Sequence, residues 1–410
     1  MKQAFLLPCG VNVVHERCDS PVVYCGIVVS AGTRHEQAED SGMAHFVEHL
    51  SFKGTRRRRA AAVNRCLERV GGDLNAFTGK QETVYHAAVL RPHFGLAADL
   101  LCDIVFSSTY PQHEIGREIE VICDEIESYR DTPSELIFDE FEAMIFGAHP
   151  LGRDILGRPE RLRAYTTADA ERFADRYYRP ECCTFFVVGD IGADEIARRV
   201  ERAVSASTRA ESAPDAPGEA LPALPQPGIE IKKVERGTHQ AHVVMGARTA
   251  GGDSAERPAL LLLNNLLGGP AMSSRLNTAL RERAGLVYSA DSFLSTYPDA
   301  GLWGVYFGCD KGDVERCRRI VCRELRRLTD APLGERTLAA AKRQLIGQMG
   351  IAREHRESYA LALGKTYARY GRLYDVDALS AAVERVTAAE LQAAAARYLS
   401  PEGLSTLIYV

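Results

Sequence analysis

Hydrophobic and polar positions follow two different periods along the chain. Five segments repeat apolar residues at intervals of three and four, which predicts helices with one buried face: 41–52, 60–70, 115–130, 258–267 and 312–329. Two apolar runs, 22–30 and 242–246, predict strands. The strands cluster apart from the long helices instead of alternating strictly with them, so the pattern favours an α+β fold over a doubly wound sheet.

The same series of signals occurs twice along the chain. Each copy begins with a threonine suited to a helix N-cap, Thr166 in the first and Thr387 in the second. A helical pattern and an Arg-Tyr pair then lead to a proline, Pro180 or Pro401, which ends the helix before an apolar strand. This repetition predicts two structurally similar domains, each a mostly antiparallel sheet packed with helices.

A stretch without hydrophobic periodicity separates the two copies. Residues 205–228 contain five prolines and several small polar residues, a composition typical of a linker. The sequence therefore predicts an N-terminal domain at 1–204, a linker at 205–228 and a C-terminal domain at 229–410.

Composition narrows the class of protein. Of the 410 residues 46% are hydrophobic and 26% are charged, and the net charge of −5 argues against a nucleic-acid partner. No apolar run approaches the roughly 18 residues of a membrane span, and the first residues do not form a secretory signal. The eleven cysteines have no regular spacing, which indicates free thiols in a reducing compartment. We expect a soluble, cytoplasmic protein.

The strongest chemical signal lies in the first predicted helix, which contains His45-x-x-Glu48-His49. Residues four apart lie on one face of a helix, so both imidazoles can bind one metal ion. Glu48 lies beside that face, where it can reach a water molecule on the metal. This is the zinc-peptidase motif His-Glu-x-x-His in inverted order. The alternative from spacing alone is a solvated helix face with local ion pairs.

Catalytic zinc sites usually have three protein ligands, so this motif requires one more. The helix predicted at 114–129 has an apolar stripe of four isoleucines that would bury one face. Five acidic residues accompany the stripe and are candidates for the third ligand: Glu118, Glu120, Asp124, Glu125 and Glu127. The alternative for these residues is an ordinary solvated acidic face.

The continuous stretch from His45 to Thr55, His-Phe-Val-Glu-His-Leu-Ser-Phe-Lys-Gly-Thr, resembles the signature of the pitrilysin family of zinc peptidases. That family includes insulinase-type enzymes and mitochondrial processing peptidases, and the resemblance extends over nearly the whole chain. It implies one zinc ion per chain, held by His45, His49 and a distal glutamate that corresponds to Glu125. It also implies that Glu118 lies beside the metal ligands and that Glu48 is the general base.

Two further segments are similar to substrate-binding parts of the same family. Residues 71–78 resemble an edge strand that pairs with the backbone of an extended peptide, which implies substrate contacts at Asn75, Ala76 and Phe77. The alternative for this Gly-Gly segment is a simple turn into a strand. In the second half, 281–288 resembles a segment whose arginine and tyrosine contact substrate near the scissile bond, here Arg281 and Tyr288. Arg283 is an alternative to Arg281.

The second half has no metal motif of its own, because 260–267 contains no histidine. The resemblance implies a zinc endopeptidase or oligopeptidase that acts on peptides or unfolded segments. It also implies a homodimer that encloses a chamber, since short members of the family associate in pairs. The alternative within the family is a catalytically idle structural subunit. A phosphate-binding loop at Gly364-Lys365-Thr366 is excluded, because Tyr359 occupies the position where that loop requires glycine.

Overall fold

A computed structural model describes residues 2–37, 39–207, 223–224 and 228–410. Most of the predicted linker, 208–222 and 225–227, lies outside the described residues. The strands in chain order are β1 (Lys2–Leu6), β2 (Asn12–Arg17), β3 (Val22–Val29), β4 (Asp73–Thr78), β5 (Thr83–Leu90), β6 (Cys183–Gly189), β7 (Ile231–Val234), β8 (Ala241–Thr249), β9 (Val287–Thr296), β10 (Gly301–Cys309) and β11 (Ser405–Tyr409).

The α-helices cover about half of the described chain and include each predicted helical segment. In chain order they are α1 (Met43–Ser51), α2 (Ala60–Glu68), α3 (Phe94–Ser107), α4 (Gln112–Arg130), α5 (Pro133–Phe146), α6 (Pro159–Leu162), α7 (Thr167–Tyr177), α8 (Ala193–Ser207), α9 (Arg257–Gly268), α10 (Val314–Thr329), α11 (Glu335–Ala352), α12 (Arg356–Tyr370), α13 (Val376–Arg385) and α14 (Ala388–Tyr398). A turn of π-helix, Asn277–Arg283, precedes β9.

Two sheets of matching topology confirm the predicted duplication. The first has the order β1-β2-β6-β3-β5-β4, and the second has the order β7-β11-β8-β10-β9. In each sheet one pair is parallel, β2 with β6 and β7 with β11, while the other pairs are antiparallel. Without β1, the two orders correspond strand for strand. The fold is therefore α+β with two similar sheets, as the sequence predicts.

The repeated helix signal has the same physical basis in both copies. At α7 the backbone N–H of Thr166 donates to the carboxylate of Asp169 at 2.9 Å, and at α14 the N–H of Thr387 donates to Glu390 at 2.8 Å. These capping contacts satisfy backbone donors that have no partner within the helix. Short 3₁₀ turns at Pro180–Cys182 and Pro401–Gly403 then lead into β6 and β11.

The compact units of the molecule do not follow the predicted division of the chain. The first unit comprises residues 1–127, 153–223 and 353–374, and the second comprises 128–152, 224–352 and 375–410. Helix α5 thus comes from the first half of the chain but belongs to the second unit. Helix α12 comes from the second half but belongs to the first unit. Each half of the chain therefore supplies one helix to the other unit.

Helix α12 packs on strands β3 and β6 of the first sheet. The approach is close at Gly364, where an added Cβ would lie 2.5 Å from the ring of Phe186. On the opposite face of this sheet, α3 packs against β3 and β5 in the main core of the unit. Both faces are thus covered, which explains why β6 is buried along its whole length.

Helix α5 has the corresponding position in the second unit, on β8 and β11. Ile137 and Phe141 of this helix are fully buried in a cluster with Val244 and Leu407. The other face of the second sheet packs on a larger core built with α9, α10 and α14. Each sheet therefore has its own helices on one face and an exchanged helix on the other.

Two expectations from composition concern the chain as a whole. All eleven cysteines are free thiols, as their irregular spacing predicts. Within the described residues, no helix has both the length and the apolar character required to cross a membrane.

Candidate metal centre

Helix α1 begins at a backbone position that only glycine adopts readily. Gly42 precedes the helix with a φ of 83°, and an added Cβ there would lie 2.7 Å from the Cα of Gly157. The carboxylate of Glu36 accepts hydrogen bonds from the N–H groups of Gly42 at 3.1 Å and Ala44 at 2.9 Å. A carboxylate at this end of a helix is favoured by the helix dipole. These contacts fix the start of the helix that carries the motif.

The motif brings its two histidines together on one face of α1, as predicted. The imidazole rings of His45 and His49 are 4.6 Å apart between centroids. Glu125 of α4 faces both rings, because the isoleucine stripe of that helix is buried against the core. Its Oε2 lies 3.7 Å from Nε2 of His45 and 3.5 Å from Nε2 of His49.

These separations fit a metal ion. The three ligand atoms of His45, His49 and Glu125 all lie within 4.8 Å of one another. In a tetrahedral site with metal–ligand distances of about 2.1 Å, ligand atoms are about 3.4 Å apart. Among the residues that the structure describes, no other group of three potential ligands comes this close. Two imidazoles and one carboxylate are also a donor set that suits zinc.

Glu118 lies behind this triad and contacts the other side of one ligand. Its buried carboxylate places Oε2 3.4 Å from Nδ1 of His49 and Oε1 2.5 Å from Nζ of Lys53. A carboxylate on the second imidazole nitrogen fixes the tautomer and orientation of a histidine ligand. Lys53 was not singled out from the sequence, although it lies in the stretch that carries the family resemblance. Its contact with Glu118 depends on the packing of α4 against α1.

Glu48 projects beside the triad, where a general base is expected. It is 8% exposed, and its Oε2 accepts a hydrogen bond of 2.6 Å from Oγ1 of Thr78. Burial raises the pKa of Glu48, while the hydrogen bond from Thr78 and the charge of His49 oppose that shift. A raised carboxyl pKa suits a group that must accept and later release a proton near neutral pH. Thr78, at the end of β4, was also missed by sequence reasoning.

The two histidines of the motif have opposite pKa shifts. Burial and the neighbouring charge of His49 lower the pKa of His45 to about 4, so its imidazole is neutral at pH 7. Burial acts in the same direction on His49, but its hydrogen bond to Glu125 and the charges of Glu48 and Glu125 raise its pKa overall. The hydrogen bond with His49 in turn lowers the pKa of Glu125. The carboxylate of Glu125 is thus ionised, the form in which it can ligate a metal.

Strand β4 forms one edge of the first sheet and carries the three predicted substrate contacts, Asn75, Ala76 and Phe77. The backbone N–H of Ala76 donates to the side-chain oxygen of its neighbour Asn75 at 2.9 Å. Helix α12 holds the turn that follows the strand, since the guanidinium of Arg369 donates to both oxygens of Glu82 at 2.6 and 2.5 Å. The Nζ of Lys365 lies 5.4 Å from the centre of the Phe77 ring.

The other two predicted substrate residues lie in the second unit, at the π-helix and the start of β9. Tyr288 is 87% exposed, and the guanidinium of Arg281 lies 5.5 Å from the centre of its ring. Arg281, and not Arg283, therefore stacks on the tyrosine. Helix α9 is the counterpart of the motif-bearing helix α1 and contains no histidine. His242 of β8 contacts the hydroxyl of Tyr306 through Nδ1 at 2.8 Å.

Comparison with known proteins identifies the family. The profile described as "Insulinase (Peptidase family M16)" matches residues 12–159, and that described as "Peptidase M16 inactive domain" matches residues 164–345. An uncharacterized zinc protease of Streptomyces coelicolor is 32% identical over 397 residues, which span 95% of this chain and 85% of that protein. This chain belongs to peptidase family M16. The predicted likeness to pitrilysin and insulinase is thereby confirmed.

Further relatives support the same assignment. The uncharacterized zinc protease YmxG of Bacillus subtilis is 32% identical to this M16 chain, over 90% of the chain and 88% of the relative. Two crystal structures share the fold at low identity. A peptidase M16 inactive domain from Pseudomonas fluorescens has a TM-score of 0.88 at 18% identity, covering 100% and 97% of the two chains. A Helicobacter pylori protease has a TM-score of 0.86 at 20% identity, covering 100% and 99%.

Proposed function

We propose that this M16 chain is a zinc-dependent endopeptidase that hydrolyses peptides or unfolded polypeptide segments. The observation that carries the proposal is the convergence of His45, His49 and Glu125 beside the buried carboxylate of Glu48. Family membership supports the metallopeptidase class, and the relatives described above are named uncharacterized zinc proteases. One zinc ion per chain follows from one complete triad among the described residues.

The proposed chemistry is the attack of a water molecule on a peptide carbonyl. His45, His49 and Glu125 would hold the zinc ion, which when bound would supply Lewis acidity for that water and for the carbonyl oxygen. Glu48 accepts the proton of the attacking water and delivers it to the leaving amine. Thr78 keeps the Glu48 carboxylate in position through its hydrogen bond of 2.6 Å. Glu118 orients the imidazole of His49 from behind.

We propose that the substrate binds as an additional strand at the free edge of β4. Backbone hydrogen bonds to such an edge select extended peptides and exclude folded helices. Asn75, Ala76 and Phe77 provide this edge, where Asn75 is exposed and the half-buried ring of Phe77 offers apolar contact. Arg281 and Tyr288 are proposed to contact the substrate near the scissile bond, where the tyrosine hydroxyl can stabilise negative charge on the carbonyl oxygen.

We also propose that the chain works as a cytoplasmic homodimer that encloses a chamber. Support comes from the family resemblance, in which short members of this kind form pairs. Light scattering coupled to size exclusion measures the oligomeric state directly. A monomer at working concentration would contradict this part of the proposal without affecting the metal site.

The central experiment combines metal content with cleavage of a quenched fluorescent peptide library. We expect about one zinc per chain and cleavage that a chelator abolishes and added zinc restores. A His45→Ala variant serves as the control, since it removes one ligand and should lose both zinc and cleavage. A folded protein that binds no zinc and cleaves no peptide would instead indicate the idle structural subunit.

A further inference from the structure

A basic cavity lies in the second unit, and none of its lining residues belongs to the metal triad. It has a volume of about 540 Å³ and lies between α10 and the π-helical turn Asn277–Arg283. Five arginines and one glutamate line it: Arg283, Arg316, Arg319, Arg323, Arg327 and Glu324. The protein as a whole carries a net charge of −5, so this concentration of positive charge is a local feature.

Four of these arginines form a row along α10. Arg316, Arg319, Arg323 and Arg327 are spaced by three, four and four residues, which places them on one face of the helix. At 1.5 Å per residue the row is about 16 Å long. Arg283 of the π-helical turn contributes a fifth guanidinium from the other wall of the cavity.

The five arginines that line the cavity have few carboxylate partners in the protein. Arg323 and Arg283 have no acidic partner among the described residues, and Arg319 donates only to the backbone carbonyl of Glu315 at 3.3 Å. Arg316 lies at a long 3.8 Å from Asp313. Arg327 pairs with Glu324 at 2.8 Å, which accounts for the only carboxylate in the lining.

Two other arginines of α10 show the contrast. Arg318 pairs with Glu315 at 2.7 Å, and Arg326 pairs with Glu402 at 2.7 Å. Neither lines the cavity. The two arginines of α10 that lie outside the cavity are thus paired with carboxylates, whereas three of the five that line it, Arg283, Arg319 and Arg323, have no such pair among the described residues. Grouping like charges this way is unfavourable unless an anion compensates it.

We propose that this cavity, which we call the arginine groove, binds an oligophosphate chain. A phosphate group has three or more oxygens and can accept hydrogen bonds from several guanidinium groups at once, whereas a carboxylate is saturated by one or two. The length of the row suits a chain of several phosphates better than one. No aromatic side chain lines the groove among the described residues, so it offers nothing on which a nucleobase would stack.

The groove shares a chain segment with the proposed substrate residues, so a ligand bound there can influence them. Arg283 and Ala284 of its wall belong to the same short segment as Arg281, whose guanidinium stacks on Tyr288. A π-helical turn is a rare local conformation that is frequently found at functional sites. An oligophosphate bound to Arg283 would therefore hold the segment that presents Arg281 and Tyr288. Binding itself does not depend on the metal site or on peptidase activity.

The test is calorimetric titration of the purified full-length chain with inorganic tripolyphosphate. The wild-type protein should bind it more tightly than orthophosphate, with an affinity that falls as salt rises. The double variant R319Q/R323Q should weaken binding about tenfold or more. Both residues are exposed, so the fold should be retained, which circular dichroism verifies.

A matched control removes the same charge from the two arginines of α10 that do not line the groove and are paired with carboxylates. The double variant R318Q/R326Q should bind tripolyphosphate within about twofold of wild type, because neither side chain lines the groove. Equal weakening by both double variants, or no binding by wild-type protein at low salt, would overturn the proposal. ATP should bind as tripolyphosphate does if only the phosphate chain is recognised. Equally tight binding of an oligoglutamate peptide through the same arginines would show that the groove recognises carboxylates instead.

Discussion

At His49 the two nitrogens of one imidazole face different carboxylates. Nε2 lies 3.5 Å from Glu125, and Nδ1 lies 3.4 Å from Glu118. Glu118 is itself held by Lys53, so a chain of three charged or polar groups extends from the triad into the protein. The orientation of the His49 imidazole, a proposed metal ligand, therefore depends on two further residues, Glu118 and Lys53.

Lys53 provides a test of this chain of contacts. Lys53→Met should weaken zinc binding by about tenfold, the low end of the effect of losing an outer partner of a ligand. The physical reason is that the buried Glu118 carboxylate would lose its ammonium partner and no longer hold His49 firmly. Competition with a chromophoric chelator measures the affinity. Lys53→Arg keeps the charge and should remain near wild type; a Met variant with unchanged zinc affinity would remove Lys53 from this role.

The role of Glu48 is tested by the isosteric change Glu48→Gln. The amide cannot accept a proton, so turnover should fall about a hundredfold or more while the triad keeps its zinc. Thr78 still has an oxygen acceptor at this position, so the local structure should be preserved. Zinc content and peptide cleavage are measured on the same preparation. Full activity with zinc bound would show that another group is the base.

At the scale of elements, the position of the metal site depends on how α1 begins. Gly42 and Gly157 both have positive φ, and their Cα atoms are so close that a Cβ on either would clash with the other loop. The Glu36 carboxylate then caps the first turn through two N–H groups. His45 follows within one turn, so a shift at this end of the helix moves the ligand.

Gly42→Ala should therefore destabilise the protein by more than the roughly 1–2 kcal/mol expected for a left-handed residue alone. It should also weaken zinc binding, because the backbone of α1 must move. Gly71→Ala is the matched control: Gly71 has a φ of 72°, but nothing lies within 4 Å of its Cβ position. Chemical denaturation of both variants gives the two free energies of unfolding. Equal losses would mean that the Gly42–Gly157 contact relaxes without cost.

At the scale of the whole molecule, the sequence has two similar halves, but each compact unit combines segments from both halves. Helix α12 covers β3 and β6 of the first unit, and α5 covers β8 and β11 of the second. Each unit contains segments from both halves of the chain, so neither half can complete its own structure. The repeat in the sequence thus marks two similar architectures but not two independent folding units.

Fragments test this interleaving. Residues 1–204 alone should expose the sheet face on which α12 packs, including the otherwise buried Phe186, and should bind a hydrophobic dye and aggregate. Co-expression with 205–410 should restore a soluble complex in which the two fragments purify together. The measurements are dye fluorescence and copurification on a tag placed on one fragment. A monomeric 1–204 fragment with a cooperative unfolding transition would contradict the exchange.

The sequence alone determined those features that depend on local spacing. His45 and His49 share a helix face because residues four apart always do. Thr166 and Thr387 precede helices because an acidic residue three positions later, Asp169 or Glu390, accepts a hydrogen bond from the threonine N–H. The apolar runs at 22–30 and 242–246 likewise located strands β3 and β8. Resemblance to a family then selected Glu125 and Glu118 among the acidic residues of α4, which spacing had left open.

Only the tertiary structure decided the features that join distant parts of the chain. Lys53 and Thr78 became part of the site because α4 and β4 pack beside α1, and neither residue carries a local signal of that contact. The exchange of α5 and α12 depends on which sheet face each helix covers. An amphipathic pattern shows that one face of a helix is buried, but it does not show which sheet that face packs against. The arginine groove has the same origin: its row on α10 is visible in the sequence, while its second wall is supplied by a segment folded back from elsewhere.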